Sequence, residues 1–331
     1  MSALDVDIQF RCGAFRLAAQ FTAPADGITV LFGPSGSGKS SLLSAIAGLI
    51  PSAGTIHLGS RVLDGGNRHV PPHQRGLGMV FQDARLFPHL TVRGNIAYAW
   101  ERAPTGKRPA IEDVARFFDM TSALDRRIGN LSGGEKSRVA LARAVAAAPD
   151  FLLLDEPFAA LDGQRRRTFI DVLLRMRRDF RLPMLAVTHD IDDAAALASN
   201  LVVLKSGKVV AKGAFQQASC DPAFAALLDA RDSGAAVPSL LLHSSRESER
   251  RHLWLRADHV VLAAERPTAV STRNVLEGKI GSIQRESEGA CMVALETSVG
   301  PILARVTAEA VAELRLTVGC QAWALVKAHA L

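Results

Sequence analysis

The chain of 331 residues is long for one hydrophobic core, so two domains are the first expectation. Hydrophobic residues make up 48% and charged residues 22%, which fits a folded protein with a large core. The net charge of +6 is too mild and too diffuse to argue for a nucleic-acid partner. The four cysteines are scattered without C-x-x-C spacing, which argues against a metal site or disulfides and favours a reducing compartment.

The sequence contains no targeting or membrane-spanning segment that we recognise. The N-terminus lacks the basic and apolar regions of a secretion signal, and no apolar run approaches the ~18 residues that span a bilayer. If the protein works at a membrane, we therefore expect another chain to hold it there. The densest basic stretch, residues 165–181, is typical of a solvated helix face, with attraction to anionic lipid as the alternative.

Continuous apolar runs predict the strands of the first domain. They do not alternate with polar residues, as expected for parallel strands buried on both faces, and they lie at 28–32, 151–154, 184–187 and 201–204. Amphipathic helical patterns lie between them, at 41–49 and 163–178. Strands that alternate with helices predict a doubly wound α/β core, which we place in a domain of residues 1–235.

Two stretches depart from this alternation. Residues 86–148 contain three prolines, then helical segments, and no clear strand, which predicts a helical subdomain inserted into the sheet domain. The pattern weakens after residue 220, and we assign 236–265 to a linker or junction. Short β runs separated by turn signals then follow, with one helix at 308–314, and predict a small β-barrel-like domain at 266–331.

A glycine-rich segment follows the first apolar run and precedes a helix. It matches the pattern G-x-x-x-x-G-K-[ST] in full and comprises Gly33, Pro34, Ser35, Gly36, Ser37, Gly38, Lys39 and Ser40. A triphosphate carries dense negative charge, so it needs many donors that converge from a tight turn, and the helix N-terminus adds its dipole. The pattern predicts ATP binding, with Lys39 on the β- and γ-phosphates, Ser40 on Mg²⁺ and Ser41 in the same segment.

Two adjacent carboxylates end the run at 151–154. Asp155 stands where a strand tip can hold Mg²⁺, usually through water. Glu156 then projects toward the γ-phosphate and can polarise an attacking water. A buried strand that ends in acids also occurs without such a role, but the position after a phosphate-binding loop favours the catalytic interpretation.

A second anion site is predicted at the helix that follows residue 131. Ser132 and Glu135 form a capping box, which by itself indicates only a helix start. An uncovered helix N-terminus preceded by Gly133 and Gly134 also binds anions. Because this helix lies on the inserted subdomain, we predict that Ser132 and Gly134 close over the γ-phosphate held by another subunit.

Three further side chains complete the predicted nucleotide site. His189 follows a strand end and would contact the γ-phosphate, although a lone histidine is more often structural. Gln82 lies where the sheet meets the helical insert, and its amide would touch Mg²⁺ or water and sense the γ-phosphate. Adenine needs an aromatic face, for which we choose Phe15, with Phe10 as the alternative; either is equally explained as core.

Together these motifs resemble the ATP-binding subunits of ABC transporters over residues 4–215. The resemblance implies a P-loop NTPase fold, with a RecA-like sheet core and an inserted helical subdomain. It assigns Gln82 to the Q-loop, residues 131–135 to the signature, Asp155 and Glu156 to Walker B, Asp162 to the D-loop and His189 to the H-loop. Two residues depart from the common pattern, since Glu135 and Ser137 stand where many members have Gln.

Finer features are similar to the molybdate-importer ATPases of this class. Residues 81–89 and 92–95 carry that similarity in the first domain, while residues 271–278 and 326–328 are similar to the OB-like Mop (TOBE-type) module. Hydroxyl and cationic donors suit a tetrahedral dianion, and Ser271, Arg273 and Lys327 match the oxyanion-contact positions of that module. The alternative is that this domain only braces a dimer.

The resemblance also implies cofactors, partners and a location. It implies ATP and Mg²⁺, a homodimer of ATPase subunits, integral membrane permease subunits, and a periplasmic or surface substrate-binding protein. The location is peripheral, at the cytoplasmic face of the cell inner membrane. Molybdate is the expected cargo, and molybdate or tungstate is the expected ligand of the C-terminal domain. Sulfate, polyamine, iron or sugar importers share the core and are the alternatives.

Two other functional classes fit less well. ABC ATPases that act on DNA insert a long coiled coil between the P-loop and the signature, and no heptad run of that length is present. Those that act on ribosomes usually carry two cassettes in one chain, and this chain has one. A nonhydrolytic oxyanion store, the third class, would not need Glu156 and His189.

Overall fold

An eleven-stranded mixed sheet organises the first of two units in a computed structural model of the chain. The structure describes residues 3–158, 161, 163–219, 221, 224, 227–228, 234–238, 252–268, 270–272, 274–286 and 289–326. The first unit comprises Met1–Asp190 and Leu197–Ala214, and the second comprises Ile191–Ala196 and Phe215–Leu331. None of the described helices combines the length and apolar character that a membrane crossing requires.

The large sheet joins a parallel core to an antiparallel arm. Its strand order is β6-β5-β4-β1-β2-β11-β10-β3-β9-β8-β7. The strands are β1 Leu4–Cys12, β2 Phe15–Ala23, β3 Ile28–Phe32, β4 Ala53–Leu58, β5 Arg61–Gly65, β6 Arg68–His69, β7 Leu77–Val80, β8 Phe151–Leu154, β9 Met184–Thr188, β10 Asn200–Lys205 and β11 Lys208–Ala214. Strands β10, β3, β9, β8 and β7 run parallel to one another, and all four strands predicted from apolar runs lie among them.

The antiparallel arm was not predicted from the sequence. Strand β1 pairs with both β2 and β4 in antiparallel register, and β4 pairs with β5. Side chains along β2 alternate between buried and exposed, which is the pattern of a half-buried strand. That alternation is visible in the printed sequence as the apolar series Leu17, Ala19, Phe21 and Ala23, so a search limited to continuous runs misses it.

Helices of the first unit connect the strands of its parallel core. They are α1 Lys39–Ile46, α2 Val92–Trp100, α3 Ile111–Phe117, α4 Gly133–Ala146 and α5 Gly163–Phe180. Between β7 and β8 the chain forms α2, α3, α4 and short 3₁₀ turns, in the range predicted to hold a helical subdomain. One buried cluster joins α1 to both parts of the sheet, because Leu42 and Leu43 pack with β1, β2 and β8 side chains.

The second unit is mainly β. Its elements are α7 Phe215–Ser219, β12 Gly234–Pro238, β13 His252–Arg256, β14 Val260–Ala263, β15 Asn274–Arg285, β16 Ala290–Thr297, β17 Gly300–Thr307, α8 Ala308–Glu313 and β18 Gln321–Val326, preceded by α6 Ile191–Leu197. Five strands form an antiparallel sheet in the order β14-β18-β15-β16-β17. Strands β13 and β14 lie within residues 236–265, which were predicted from the sequence to form a linker or junction. The predicted fold class, a P-loop α/β domain followed by a small all-β domain, is confirmed.

Candidate nucleotide-binding site

The glycine-rich loop leaves β3 and enters α1, and its shape depends on glycine at three positions. A Cβ atom on Gly33 would lie 2.1 Å from the carbonyl oxygen of Leu204, so no side chain fits there. Gly36 and Gly38 have φ angles of 79° and 101°, in the left-handed region that side chains disfavour. The loop therefore has the tight, inward-turned backbone that phosphate cradles require.

Lys39 folds back over this loop. Its Nζ donates hydrogen bonds of 2.8 Å to the Gly33 carbonyl oxygen and 3.0 Å to that of Pro34. Burial lowers the pKa of the Lys39 ammonium, and the nearby Glu156 and Asp155 carboxylates oppose that effect. The ammonium is thus held against the loop where the sequence predicts the phosphates to bind.

Ser40 and Asp155 bring an alcohol and a carboxylate into direct contact. Ser40 Oγ donates a 2.8 Å hydrogen bond to Asp155 Oδ1. Burial raises the pKa of Asp155, as does Glu156, while Ser40, Lys39 and Arg85 act in the opposite direction. Adjacent oxygen donors fit Mg²⁺, which prefers oxygen and takes few ligands from protein. Among the described residues there is no group of three or more His, Cys, Asp and Glu that would hold a metal by itself.

The predicted catalytic pair is assembled by neighbouring strands. Glu156 follows β8 and His189 follows β9, and these strands are parallel and adjacent. His189 Nδ1 lies 3.5 Å from Glu156 Oε1. Glu156 has a φ of 43°, an uncommon left-handed conformation for a residue with a side chain, and such strain is found most often at functional sites.

Gln82 belongs to the same edge of the sheet. It follows β7, the strand beside β8, and its side chain is exposed. The carboxyl ends of β3, β9, β8 and β7 therefore carry the P-loop, His189, Glu156 and Gln82 in turn. Ligands of parallel α/β sheets bind at this edge, so the fold groups the predicted site residues where a site is expected.

Two residues that were given no role in the sequence analysis fix the segment after Gln82. Arg143, in the last turn of α4, donates hydrogen bonds of 2.8 and 3.2 Å to the carbonyl oxygens of Arg85 and Ala84. Asn95 is fully buried, and its side chain bonds both the amide and the carbonyl of Phe87. Single polar residues within helices carry no motif, and the one signal in the sequence was that Asn95 lies in the stretch 92–95 that is similar to the molybdate-importer ATPases.

The signature segment forms the predicted capping box. Ser132 Oγ accepts from the Glu135 amide at 3.3 Å, and the Ser132 amide donates to Glu135 Oε2 at 2.7 Å. That amide contact, together with the Arg126 guanidinium, lowers the pKa of Glu135. Beside Ser132 and Gly134 lies a cavity of about 130 Å³ that Arg138 and Arg165 also line.

The aromatic candidates for adenine lie near the core of the first unit. Phe15 and Phe10 are both partly buried and pack against its hydrophobic cluster. A Cβ atom on Gly38 would lie 2.9 Å from Cε1 and Cζ of Phe15, which places that ring directly against the phosphate loop. Phe15 is therefore the better placed of the two.

Several predicted residues fall outside the part of the chain that the structure describes. These are Asp162 of the D-loop and the oxyanion candidates Arg273 and Lys327. The third oxyanion candidate, Ser271, is described and exposed. The grouping of these three side chains stays a prediction.

Family models match both parts of the chain. The ABC transporter model matches residues 18–159 and the TOBE domain model matches residues 270–331. The chain thus combines an ATP-binding cassette of the ABC transporter class with a TOBE domain. That class is the one that the P-loop, the capped signature helix and the Glu156–His189 pair had indicated.

Curated relatives match over nearly the whole chain. A molybdenum import ATP-binding protein from Rhodospirillum rubrum is 37% identical, with 99% of this chain and 97% of the relative covered. Its counterpart from Mesorhizobium japonicum is 39% identical, with 97% and 94% covered. The chain belongs to this family of molybdenum import ATP-binding proteins.

Solved structures support the fold of the first domain. The cbiO1 protein of Clostridium perfringens, part of an ABC transporter complex, is 23% identical, with a TM-score of 0.57, 65% of this chain and 89% of that chain covered. A dimeric ATP-binding cassette in a post-hydrolysis state, bound to ADP and Pi, is 25% identical, with a TM-score of 0.54 and 65% and 98% covered.

Proposed function

We propose that this protein hydrolyses ATP to power molybdate import through a membrane permease. The observation that carries the proposal is the convergence of the P-loop, Asp155, Glu156 and His189 at one edge of a parallel sheet. Membership of the molybdenum import family supplies the cargo. We place the subunit peripherally, at the cytoplasmic face of the cell inner membrane, with permease subunits as its membrane partners and a periplasmic or surface protein that delivers substrate to them.

The chemistry follows from the side chains at the sheet edge. Loop amides and Lys39 bind the phosphates, and Phe15 offers a face to adenine. Ser40 and Asp155 would hold Mg²⁺, which neutralises phosphate charge. Glu156 orients and polarises the attacking water, and His189, 3.5 Å from its carboxylate, keeps Glu156 and the γ-phosphate in register. Gln82 connects this edge to the helical subdomain, and its amide would contact Mg²⁺ or the attacking water.

The site is proposed to be complete only in a homodimer. Ser132 Oγ accepts the Glu135 amide within the cap, so its own hydroxyl proton remains to be donated to a phosphate oxygen of the partner's nucleotide. The N-terminus of α4 adds a favourable dipole for that anion. The similar cassette solved as a dimer with ADP and Pi supports this arrangement.

The test uses Glu156→Gln, which keeps the shape of the side chain and removes the base. We expect ATP hydrolysis to fall by about 10²–10⁴-fold, the usual contribution of a general base, while ATP binding is retained. ATP should then trap a dimer that light scattering after size-exclusion chromatography detects. Undiminished hydrolysis would show that Glu156 is not the base. A variant that stays monomeric with ATP would contradict the proposal of a site shared between two subunits.

The cargo is tested at the C-terminal domain and in membranes. Calorimetric titration with molybdate, tungstate and sulfate would be compared between the protein and an Arg273→Ala, Lys327→Ala variant. Binding of molybdate or tungstate but not sulfate, lost in the variant, would support an oxyanion sensor that includes Ser271. If nothing binds, the domain is left as a dimer brace. Molybdate uptake by vesicles that carry the assembled transporter then decides the cargo itself, with sulfate as competitor.

A further inference from the structure

Glu135 places a negative charge at the position where the signature meets an anion. Its side chain is 23% exposed, and the hydrogen bond from the Ser132 amide lowers its pKa, so it is ionised at neutral pH. A carboxylate bound to the N-cap of α4, at its phosphate-binding end, repels a γ-phosphate unless another charge offsets it. The signature of this chain therefore needs a compensating cation, and this argument rests on the shared site proposed above.

Arg126 supplies that cation from a fixed position. Its Nη1 donates a 2.9 Å hydrogen bond to Glu135 Oε1, while the other carboxylate oxygen accepts the Ser132 amide. Its Nη2 donates to the Asn130 carbonyl oxygen, just before the signature. The Arg126 carbonyl oxygen accepts the Val92 amide at 3.0 Å, which anchors the main chain at the start of α2. Both ends of Arg126 are thus held.

We infer that Arg126 is a positioning residue of the signature: it balances the charge of Glu135 and holds that carboxylate on the Ser132 cap. With the carboxylate engaged in this way, the N-terminus of α4 attracts the partner's γ-phosphate. Without Arg126, Glu135 is free to leave the cap and faces the phosphate as an unbalanced charge. Arg126 acts through Glu135 and need not touch the nucleotide.

The experiment is a double-mutant cycle in the Glu156→Gln background, read out as the protein concentration at which ATP drives dimer formation. We expect Arg126→Ala to raise that concentration by up to about fivefold, the upper range for a partly exposed ion pair, because the Arg126 side chain is 44% exposed. Adding Glu135→Gln to Arg126→Ala should recover most of the lost dimer affinity, because the unbalanced charge is then gone. In the chain with Glu156 intact, Arg126→Ala should raise KM for ATP more than it lowers kcat.

A purely structural role predicts a different result. In that case Glu135→Gln would not rescue Arg126→Ala, and equal losses in the single and double variants would overturn the inference. Arg126→Gln, which removes the charge but keeps polar bonding, supplies the same cycle if the alanine variant does not fold. The matched control is Arg116→Ala, which removes an exposed arginine of the same subdomain that pairs with Asp113.

The design separates this inference from the proposed function. If the Glu156→Gln parent does not dimerise with ATP, the shared site itself fails. If the parent dimerises and Arg126→Ala behaves like Arg116→Ala, only the role of Arg126 fails. If Arg126→Ala weakens dimerisation and Glu135→Gln restores it, both are supported.

Discussion

Ser40 Oγ donates a 2.8 Å hydrogen bond to Asp155 Oδ1 and so joins residues 115 positions apart in the sequence. The contact ties the first turn of α1 to the end of β8. It exists because β3 and β8 both flank β9 in one parallel order, which brings their carboxyl ends to the same edge. Asp155 as a whole residue is 7% exposed, and this burial raises the pKa of its carboxyl group.

Asp155→Asn should stabilise the nucleotide-free protein while it abolishes activity. The raised pKa means that the ionised carboxylate is disfavoured in the folded state, and asparagine removes that charge but keeps an oxygen for Ser40. Ligand-free thermal unfolding should occur at a higher temperature than in the wild type. In the wild type, ATP with Mg²⁺ should raise the unfolding temperature further, because a bound ligand stabilises the folded state. In Asp155→Asn this rise should be absent.

The pH dependence gives an independent check. A folded-state pKa raised above the unfolded value contributes stability at low pH, and that contribution is lost as the pH rises through the folded pKa. The extra stability of Asp155→Asn over the wild type should therefore be largest at neutral pH. It should shrink as the pH falls and the wild-type carboxyl protonates. A constant difference between the two proteins across this range would contradict the assignment.

Gly38→Ala should damage the phosphate loop. At a φ of 101°, a side chain costs about 1–2 kcal/mol, and the added Cβ would lie 2.9 Å from Phe15 and Leu17. The loop must shift, so we expect the rate of ATP hydrolysis to fall by roughly 100-fold, the cost of ~1 Å of misplacement, and ATP affinity to fall with it. Gly66→Ala is the control, because it has positive φ and no atom within 4 Å of its Cβ. Equal ATP affinity in both variants would refute the steric argument.

Arg143→Ala should loosen the segment that follows Gln82. The substitution removes both hydrogen bonds to the Ala84 and Arg85 carbonyl oxygens. Hydrogen–deuterium exchange of the Phe87 amide should become about tenfold faster, which corresponds to ~1.4 kcal/mol of local opening free energy. Arg102→Ala, which removes an arginine stacked on Tyr98, should leave that amide unchanged. Unaltered exchange in Arg143→Ala would show that Asn95 alone holds the segment.

Arg75→Met should destabilise the first unit through the far end of α1. Arg75 is fully buried, bonds the Ile46 carbonyl oxygen at 2.8 Å and pairs with Asp64 at 2.6 Å. Its removal leaves the buried Asp64 carboxylate with His69, 2.5 Å away, as its remaining side-chain contact, so we expect a loss of about 3 kcal/mol in the free energy of unfolding, measured with urea. An added Asp64→Leu should recover part of that loss. A single variant within about 1 kcal/mol of the wild type would contradict this view.

The parallel core and the ATP motifs were predictable because their physical requirements are local. A strand buried on both faces needs a continuous apolar run such as Phe151–Leu154, and a phosphate cradle needs glycines at fixed spacing. The prediction of the ABC transporter family, its ATPase activity and its link to molybdenum import is confirmed. The individual site residues stay predictions, and the geometry groups those at the sheet edge, namely the P-loop, Gln82, Asp155, Glu156 and His189.

Other features were not predicted because no local motif or continuous apolar run marks them. Arg143 and Arg126 are ordinary helix and turn arginines until the fold brings them to the Ala84 carbonyl oxygen and to Glu135. The antiparallel arm escaped because its half-buried strands alternate, as β2 shows. Strand β14 was not predicted because four residues are too few to show a clear alternation of apolar and polar side chains. Its partner β18 also lies near the opposite end of the domain.

That pairing affects how the C-terminal domain can be produced in isolation. Val260 and Leu262 of β14 are buried in the domain's core, and Val260 pairs with Val326 of β18. A fragment cut at residue 266 would lose both core side chains and leave one edge of β18 bare, and bare strand edges recruit other chains. Such a fragment would be prone to self-association. A cut upstream of β13 keeps the edge covered and is the better choice for oxyanion titrations on the isolated domain.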